Sequence, residues 1–278
     1  MTTEERKHQE DLQRLRLLRP IDDDFMRCLF KDNIPLVELV LRIITGKQDL
    51  VITNCQIQKD MKRLAGARSV CLDALGTDLQ GKLYDVEIQR GDKGASPHRA
   101  RYHSSVMDVE NLDAGQDFDM LPDSYVIFIT EKDIFGGGKP VYPIERMNLA
   151  MQTPFEDGEH ILYVNGEYRD GTSDIGKLMH DFNCTDASEM NFDLMADRTR
   201  YLKENPKGVS EMCKVMEDMR RAEREEGRAE GRVEGKNEEK KSTIFRMLAD
   251  GTLAIDKIAE FVGLSLDDVK KLISDAAV

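Results

Sequence analysis

Two strand-like segments joined by a short turn constrain the fold of this chain more than any other feature of its sequence. The stretch 69–90 reads SVCLDALGTDLQGKLYDVEIQR. Its second half alternates cleanly between apolar and polar residues, as a half-buried strand does. Residues 77–82, which contain Gly81, supply the reversal between the two segments. The pattern therefore predicts a β-hairpin whose second strand carries Asp85, Glu87 and Gln89 on one face.

The predicted hairpin brings two carboxylates together. Asp73 lies on the first strand and Glu87 on the second, with thirteen residues between them. If the strands pair, both carboxylates can bind one hard cation, and Mg²⁺ takes oxygen ligands at roughly 2.0 to 2.1 Å. Gln89, one pleat further along, faces the same place. The solvent-exposed face of any antiparallel hairpin has the same pattern, so the spacing alone leaves both interpretations open.

Segments on both sides of the hairpin occur in the order of a known family. They read RPIDDDFMRCLF at 19–30, ARSVCLDALGTDLQGKLYDVEIQR at 67–90, RARYHSSVM at 99–107, LPDSYVIFIT at 121–130, EGRAEGRVEGK at 226–236 and IDKIAEFVGLSLDDVKKL at 255–272. With these segments the chain resembles the PD-(D/E)XK nuclease superfamily, and within it the bacterial Rpn-type group of recombination-promoting nucleases or transposases. The resemblance implies an α/β fold with a restriction-endonuclease-like core, a mixed central sheet flanked by helices, and a C-terminal helical extension.

The resemblance also implies metal-dependent DNA hydrolysis at the hairpin, in recombination or transposition. Asp73 and Glu87 match the family residues that hold Mg²⁺, for which Mn²⁺ substitutes, and the Ile88 carbonyl is an expected further ligand. The superfamily usually has Lys at the position of Gln89. Gln at this position resembles what the Rpn-type group carries. A neutral amide orients water by hydrogen bonding but brings no positive charge. The expected catalytic residues are Asp73, Glu87 and Gln89.

The net charge of the chain weakens the expected contact with DNA, and the distribution of charge along the sequence indicates where that contact would lie. The formal net charge of −13 repels a polyanion. Residues 55–101 nevertheless contain nine Lys and Arg against six Asp and Glu, whereas residues 106–200 contain seven against twenty. A weak, metal-dependent contact is therefore expected near the hairpin. The expected nucleic-acid-binding residues are Arg99, Arg101, Lys93 and Arg27, and whether Arg27 supplies the charge that Gln89 lacks stays open.

Composition and pattern divide the chain into four segments. They are a charged N-terminal segment at 1–18, the nuclease-like domain at 19–205, a charged helical linker with EGR repeats at 206–241, and a helical hairpin of helix-turn-helix spacing at 242–278. Within the domain, Pro97 begins a predicted helix that runs to about 112, and residues 125–130 form a predicted buried strand. Asn165-Gly166 predicts a hairpin turn between strands.

The repeat EGRA-EGRV-EGK stacks glutamates, glycines and basic residues in three columns at period four. Like charges four apart and interior glycines disfavour an isolated helix. Two interpretations remain open, a solvated and partly frayed linker or a helix that pairs with a second copy of the chain, which would make the protein a homo-oligomer. The last predicted helix begins with Asp267-Asp268, which favours packing or dimerisation over DNA reading by this segment.

The cysteines and the N-terminal sequence indicate the cellular compartment in which the protein is expected. The five cysteines are scattered and include no C-x-x-C pair, so we expect a reduced cytoplasm in which each is a small buried hydrophobe. The N-terminus MTTEERKHQED has no apolar region typical of a signal peptide, and no apolar run approaches the roughly 20 residues of a membrane span.

Two histidines lie near the start of the helix predicted from Pro97. His98 and His103 are five residues apart, so one helix would point them in different directions, and both are predicted to be solvated.

A second class of function competes with the nuclease. It is a non-enzymatic module, which keeps the nuclease fold with weak or no turnover and acts in binding or assembly.

Overall fold

The computed structural model describes residues 3–61, 70–91, 94–251 and 253–275. The chain forms two compact units, Met1–Met216 and Glu217–Val278. The first is an α/β unit built on a mixed six-stranded sheet, and the second is helical.

The first unit contains helices α1 (Thr3–Leu17), α2 (Asp23–Phe30), α3 (Ile34–Thr45), α4 (Pro97–Asn111), α5 (Asp174–Asn183) and α6 (Asp193–Glu204). Its strands are β1 (Ile52–Met61), β2 (Val70–Asp78), β3 (Leu83–Gln89), β4 (Ser124–Thr130), β5 (Val141–Ile144), β6 (Met147–Asn148), β7 (Thr153–Pro154) and β8 (Glu159–Asn165). Helix α7 (Pro206–Asp250) begins in the first unit and continues into the second, which also contains α8 (Ile255–Val262) and α9 (Leu266–Asp275).

The large sheet has the strand order β1-β2-β3-β4-β8-β5. Strands β1, β2 and β3 form an antiparallel meander, so the predicted hairpin is confirmed. Strand β4 runs parallel to β3 and to β8, and β5 closes the edge antiparallel to β8. Every residue of β4 is buried, as predicted, because a central strand with parallel neighbours needs cover on both faces.

Two hydrophobic cores cover the sheet. One contains Val86 and Ile88 of β3 and side chains of α2, α3, α5 and α6. The other contains Val126 and Phe128 of β4 and is closed by α4. Strand β3 therefore lies between two packed layers, and the face that carries Asp85 and Glu87 is turned toward α4.

Local residue types mark several boundaries of the helices. Helix α2 follows Asp22, and α3 ends at Gly46, whose φ of +72° is the left-handed conformation that glycine adopts without strain. Helix α4 begins at Pro97 as predicted. No disulfide joins the five cysteines, all of which lie in the described residues. Cys28 and Cys184 are buried as predicted and Cys55 and Cys213 are half-buried, but Cys71 is exposed, so the prediction of burial is wrong for Cys71.

The hairpin turn predicted at Asn165-Gly166 is wrong. After β8 the chain turns and enters α5, and β8 pairs with β4 and β5, which both precede it. The Gly166 N–H donates a 2.7 Å hydrogen bond to the Thr130 carbonyl. A Cβ on Gly166 would lie 2.3 Å from that oxygen, so this glycine serves the close approach to the end of β4 rather than a hairpin.

The repeat segment is helical along its whole length. Helix α7 runs unbroken from Pro206 to Asp250, so the repeat is part of one continuous helix. Helix propagation needs only one added hydrogen bond per residue once a nucleus exists, and flanks rich in Glu, Lys, Arg and Met provide nuclei on both sides of the glycines.

In the second unit, the end of α7 packs with α8 and α9. Their small core consists of Ile244, Ile258, Ala259 and Val269. Gly263, at φ +64°, ends α8 before α9 begins. Two helices joined by a short turn are present where the helical pattern predicts them. No helix in the described part of the chain is long and apolar enough to cross a membrane.

Candidate functional site

Three carboxylates lie inside the sheet at the centre of the meander. Asp73 is 5% exposed, and Asp85 and Glu87 are fully buried. The interpretation of this surface as a solvent-exposed hairpin face is therefore wrong, because α4 packs over it. Burial of an unpaired carboxylate is costly, so each of these groups requires a partner or a proton.

The main chain of Asp73 contacts the side chain of Glu87. The Asp73 N–H donates a 2.9 Å hydrogen bond to Glu87 Oε1. The Ile88 N–H lies 3.5 Å from Asp73 Oδ2, so the main chain of Ile88 faces β2. The N–H and C=O of one strand residue point to the same side, and the Ile88 carbonyl consequently faces β2 as well.

A backbone irregularity positions Asp73. Leu72 packs in the core under α4, whereas Ala74 packs in the opposite core, so the side-chain alternation of β2 changes at Asp73. On β1 the pairs Ile57–Ala74 and Lys59–Leu72 place Gln58 opposite Asp73.

Gln58 has a φ of +54°, which is uncommon for a residue other than glycine. Strained residues and strand irregularities cluster at functional sites. Here the irregularity gives Asp73 access to groups on both faces of the sheet.

Two arginines reach the carboxylates from opposite faces. Arg27 of α2 places Nη2 2.7 Å from Asp73 Oδ1. Arg99 of α4 places Nη2 2.8 Å from Glu87 Oε2. The sequence predicts that both residues contact nucleic acid, and in the structure each lies against a carboxyl group. The positive charge of Arg27 therefore lies beside Asp73.

His103 is the residue that sequence reasoning placed wrongly. It is 2% exposed, whereas His98 is exposed as predicted. Its Nδ1 lies 2.9 Å from Asp85 Oδ2, and its Nε2 accepts a 3.2 Å hydrogen bond from Arg99 Nε. A signal for its burial was present, because His103 lies three residues after Ala100 and four before Met107, on the apolar face of α4.

Of the other predicted site residues, Gln89 and Arg101 lie within the described part of the chain. Gln89 is half-buried at the end of β3, and a Cβ built on Gly94 would lie 1.6 Å from its Oε1. The carbonyl of Gly94 accepts a 3.2 Å hydrogen bond from Arg99 Nη1. Arg101 is exposed on α4. Lys93 lies outside the described residues.

Burial and mutual repulsion shift the proton affinities of the site. Burial, followed by the charges of Asp85 and Asp73, raises the pKa of Glu87 to about 9. Burial and the charge of Asp73 raise the pKa of Asp85 well above its usual value. Burial lowers the pKa of His103, which keeps the ring neutral. The site therefore retains protons unless another cation replaces them.

The site contains more negative than positive groups. Three carboxylates, those of Asp73, Asp85 and Glu87, face two guanidiniums, those of Arg27 and Arg99. In addition, Asp85 Oδ1 is buried and has no hydrogen-bond partner in the described part of the chain. Chemically, the arrangement can hold an additional proton or a cation at its centre.

In comparisons with known proteins, no family model, no curated protein and no solved structure matches this chain.

Proposed function

We propose that the protein is a metal-dependent DNA endonuclease with a restriction-endonuclease-like core, which hydrolyses phosphodiester bonds in recombination or transposition. The observation that carries the proposal is the convergence of Asp73 and Glu87, joined by the hydrogen bond from the Asp73 N–H to Glu87 Oε1. The mixed sheet with helices on both faces is the architecture that the family resemblance implies.

The residues present fit a divalent cation. Three carboxyl groups face two guanidiniums, and Asp85 Oδ1 has no hydrogen-bond partner among the described residues, so the site can take up one further positive charge, a proton or a cation. Asp73, Glu87 and the Ile88 carbonyl would hold the ion, Mg²⁺ or its substitute Mn²⁺, through oxygen ligands. A bound ion of this kind lowers the pKa of a coordinated water and offsets charge that develops on the phosphate.

The chain's own groups bind and orient the reactants. Gln89 orients the attacking water through its amide, and the exposed Arg101 binds the phosphate backbone by charge-assisted hydrogen bonds. Arg99, whose side chain is 38% exposed, lies beside Glu87 and contributes a second phosphate contact. In the reaction, the water gives up a proton as its oxygen forms a bond to phosphorus, the bond from phosphorus to the leaving oxygen breaks, and the leaving oxygen takes up a proton in exchange.

A second candidate function is a non-enzymatic module with the same fold. The observation in its favour is that Asp73 and Glu87 are almost inaccessible and each already has an arginine partner. Such ion pairs would compete with a metal. This protein would act in binding or assembly.

A plasmid-nicking assay with Mg²⁺ or Mn²⁺ distinguishes the two candidates. We expect the wild-type protein to nick DNA and Asp73→Ala to lose at least about 100-fold in rate, in the range that removal of one stabilising group costs an enzyme. The matched control is Asp197→Ala, an exposed aspartate of α6. Nicking that persists in Asp73→Ala, or that needs no metal, would contradict the nuclease proposal, and a wild type without activity would favour the module.

A prediction about Gly94 tests the role of Gln89. In Gly94→Ala the new methyl group displaces the Gln89 amide, a flexible side-chain end that moves at little cost. We therefore expect nicking to fall about tenfold, the lower part of the range for a lost orienting group, with little change in melting temperature. The control is Gly91→Ala, because a Cβ there meets open space. Undiminished nicking by Gly94→Ala would show that Gln89 is a bystander.

We also propose that α7 mediates self-association, as one interpretation of the repeat predicts. Gly227, Gly231 and Gly235 are exposed, and a Cβ on each would meet nothing within 4 Å. Such a column permits close approach of a helix from a second copy of the chain.

Replacing the three glycines by alanine separates this proposal from a solvated helix. Each replacement favours the helix by about 1 kcal/mol, but the added methyls block close approach. We therefore expect a higher melting temperature together with loss of the dimer mass in light scattering. Ser242→Ala, exposed on the same helix, is the control. A monomeric wild type, or an unchanged dimer in the triple variant, would contradict self-association through this column.

A further inference from the structure

A group of three metal-ligating side chains includes Glu87 and extends away from Asp73. Asp85, Glu87 and His103 offer ligand atoms that all lie within 4.8 Å of one another. Asp85 and Glu87 share one face of β3 because they are two residues apart, and His103 projects from α4 opposite them. Since all three are buried on regular elements, their donors are held in place before any ligand arrives.

One oxygen of this cluster lacks a hydrogen-bond donor among the described residues. Asp85 Oδ2 lies 2.9 Å from His103 Nδ1, and the Glu87 carboxyl lies within hydrogen-bonding reach of the Asp85 carboxyl, but no donor reaches the buried Asp85 Oδ1. A buried carboxylate oxygen of this kind is rare in folded proteins, because its lost hydration is not repaid. Either a proton or a cation therefore belongs at this oxygen.

We propose that Asp85, Glu87 and His103 form a cation position of their own, which takes a borderline divalent metal such as Mn²⁺, Co²⁺ or Zn²⁺. Two carboxylates and an imidazole suit such metals, whereas Mg²⁺ prefers oxygen ligands alone. This position shares Glu87 with the proposed nuclease centre, but its occupancy does not depend on DNA cleavage. Neither Asp85 nor His103 belongs to the ligand set that the family resemblance implies.

Arg99 holds the cluster in its metal-free form. Its Nε–H donates to His103 Nε2, so the ring proton lies on Nδ1, toward Asp85. A ligating nitrogen must be unprotonated, so a metal on Nδ1 requires the ring proton to move to Nε2. Nε2 then no longer accepts from Arg99. The metal and Arg99 therefore compete for the cluster, and binding of the metal releases a guanidinium that is already 38% exposed.

Titration of the full-length protein with Co²⁺ tests the proposal by calorimetry and by the visible absorption of the bound ion. We expect His103→Gln and Asp85→Asn each to weaken Co²⁺ binding at least about tenfold, a conservative bound given the 10- to 100-fold effect of losing even an outer-shell partner. We expect Arg99→Gln to tighten it, because the competing guanidinium is gone. The control is His98→Gln, exposed on the same helix. Thermal unfolding checks each variant, and the isosteric Asp85→Asn decides if His103→Gln does not fold.

The outcomes separate this inference from the nuclease proposal. Equal Co²⁺ affinity in the wild type, Asp85→Asn and His103→Gln overturns the cation position, even if Asp73→Ala abolishes nicking. Conversely, Co²⁺ binding that depends on Asp85 and His103 and survives in Asp73→Ala supports the position, even if no variant cleaves DNA. Absence of any Co²⁺ binding also overturns it and leaves a proton at Asp85.

Discussion

Glu87→Gln should stabilise the metal-free protein at alkaline pH and remove its response to Mn²⁺. The pKa of Glu87 is raised to about 9, first by burial and then by the charges of Asp85 and Asp73. The folded protein thus holds a proton that the unfolded chain releases near the usual carboxyl pKa. Stability therefore falls as pH rises through this window, and the full cost is reached above about pH 9. Gln, which has no proton to lose, avoids this cost.

Denaturant unfolding in a chelator at two pH values measures the effect. We expect Glu87→Gln to gain little near pH 5 and about 2 kcal/mol or more near pH 8, since one pKa unit corresponds to about 1.4 kcal/mol. Mn²⁺ should raise the melting temperature of the wild type but not of the variant, because ligands that bind only the folded state stabilise it. Glu204→Gln, an exposed glutamate of α6, is the control. A gain that is equal at both pH values would contradict the assignment of the buried proton to Glu87.

Arg27→Met should be among the most destabilising substitutions in the site. It leaves Asp73 as a buried charge next to two further carboxylates, and breaking a buried ion pair by removing one partner costs about 3 to 5 kcal/mol. The side chains of Arg27 and Asp73 are 18% and 8% exposed, so little water compensates. The double variant Arg27→Met with Asp73→Asn should recover most of the loss, since it buries neither charge.

A double-mutant cycle measured by urea unfolding tests this pair against a matched surface pair. Arg200 and Asp197 form an ion pair at the same distance of 2.7 Å, but their side chains are 47% and 74% exposed. We expect a coupling energy of several kcal/mol for the buried pair and below about 1 kcal/mol for the exposed one. Equal couplings would show that burial does not strengthen the ion pair between Arg27 and Asp73.

Local pattern predicted much of the fold. The alternation at the end of the hairpin predicted β3, the apolar run at 125–130 predicted β4, and Pro97 marked the start of α4. These features depend on side chains a few residues apart, so they can be read from the sequence. The prediction of a hairpin turn at Asn165-Gly166 is wrong because the Asn-Gly preference reflects local turn chemistry. The strands that pair with β8 are set by the sheet as a whole.

The site was predictable only in part. The sequence pairs Asp73 with Glu87, because period-two alternation and one turn suffice to bring them together. The roles of Asp85 and His103 depend on α4 packing against β3, a tertiary contact that hairpin periodicity does not encode. The irregularity at Gln58 was equally hidden, since glutamine is not a residue type that favours a positive φ.

The start of α7 has a consequence for how the protein is made. Met212 and Met216 are 0% and 1% exposed and belong to the same core as Val86 of β3. A ribosome releases the chain from its N-terminus, and domains generally fold as units when their residues emerge. The first unit therefore stays without part of its core until residue 216 has left the exit tunnel. A gene fragment that ends at residue 205 would give an incomplete domain, and a stable fragment must extend past Met216.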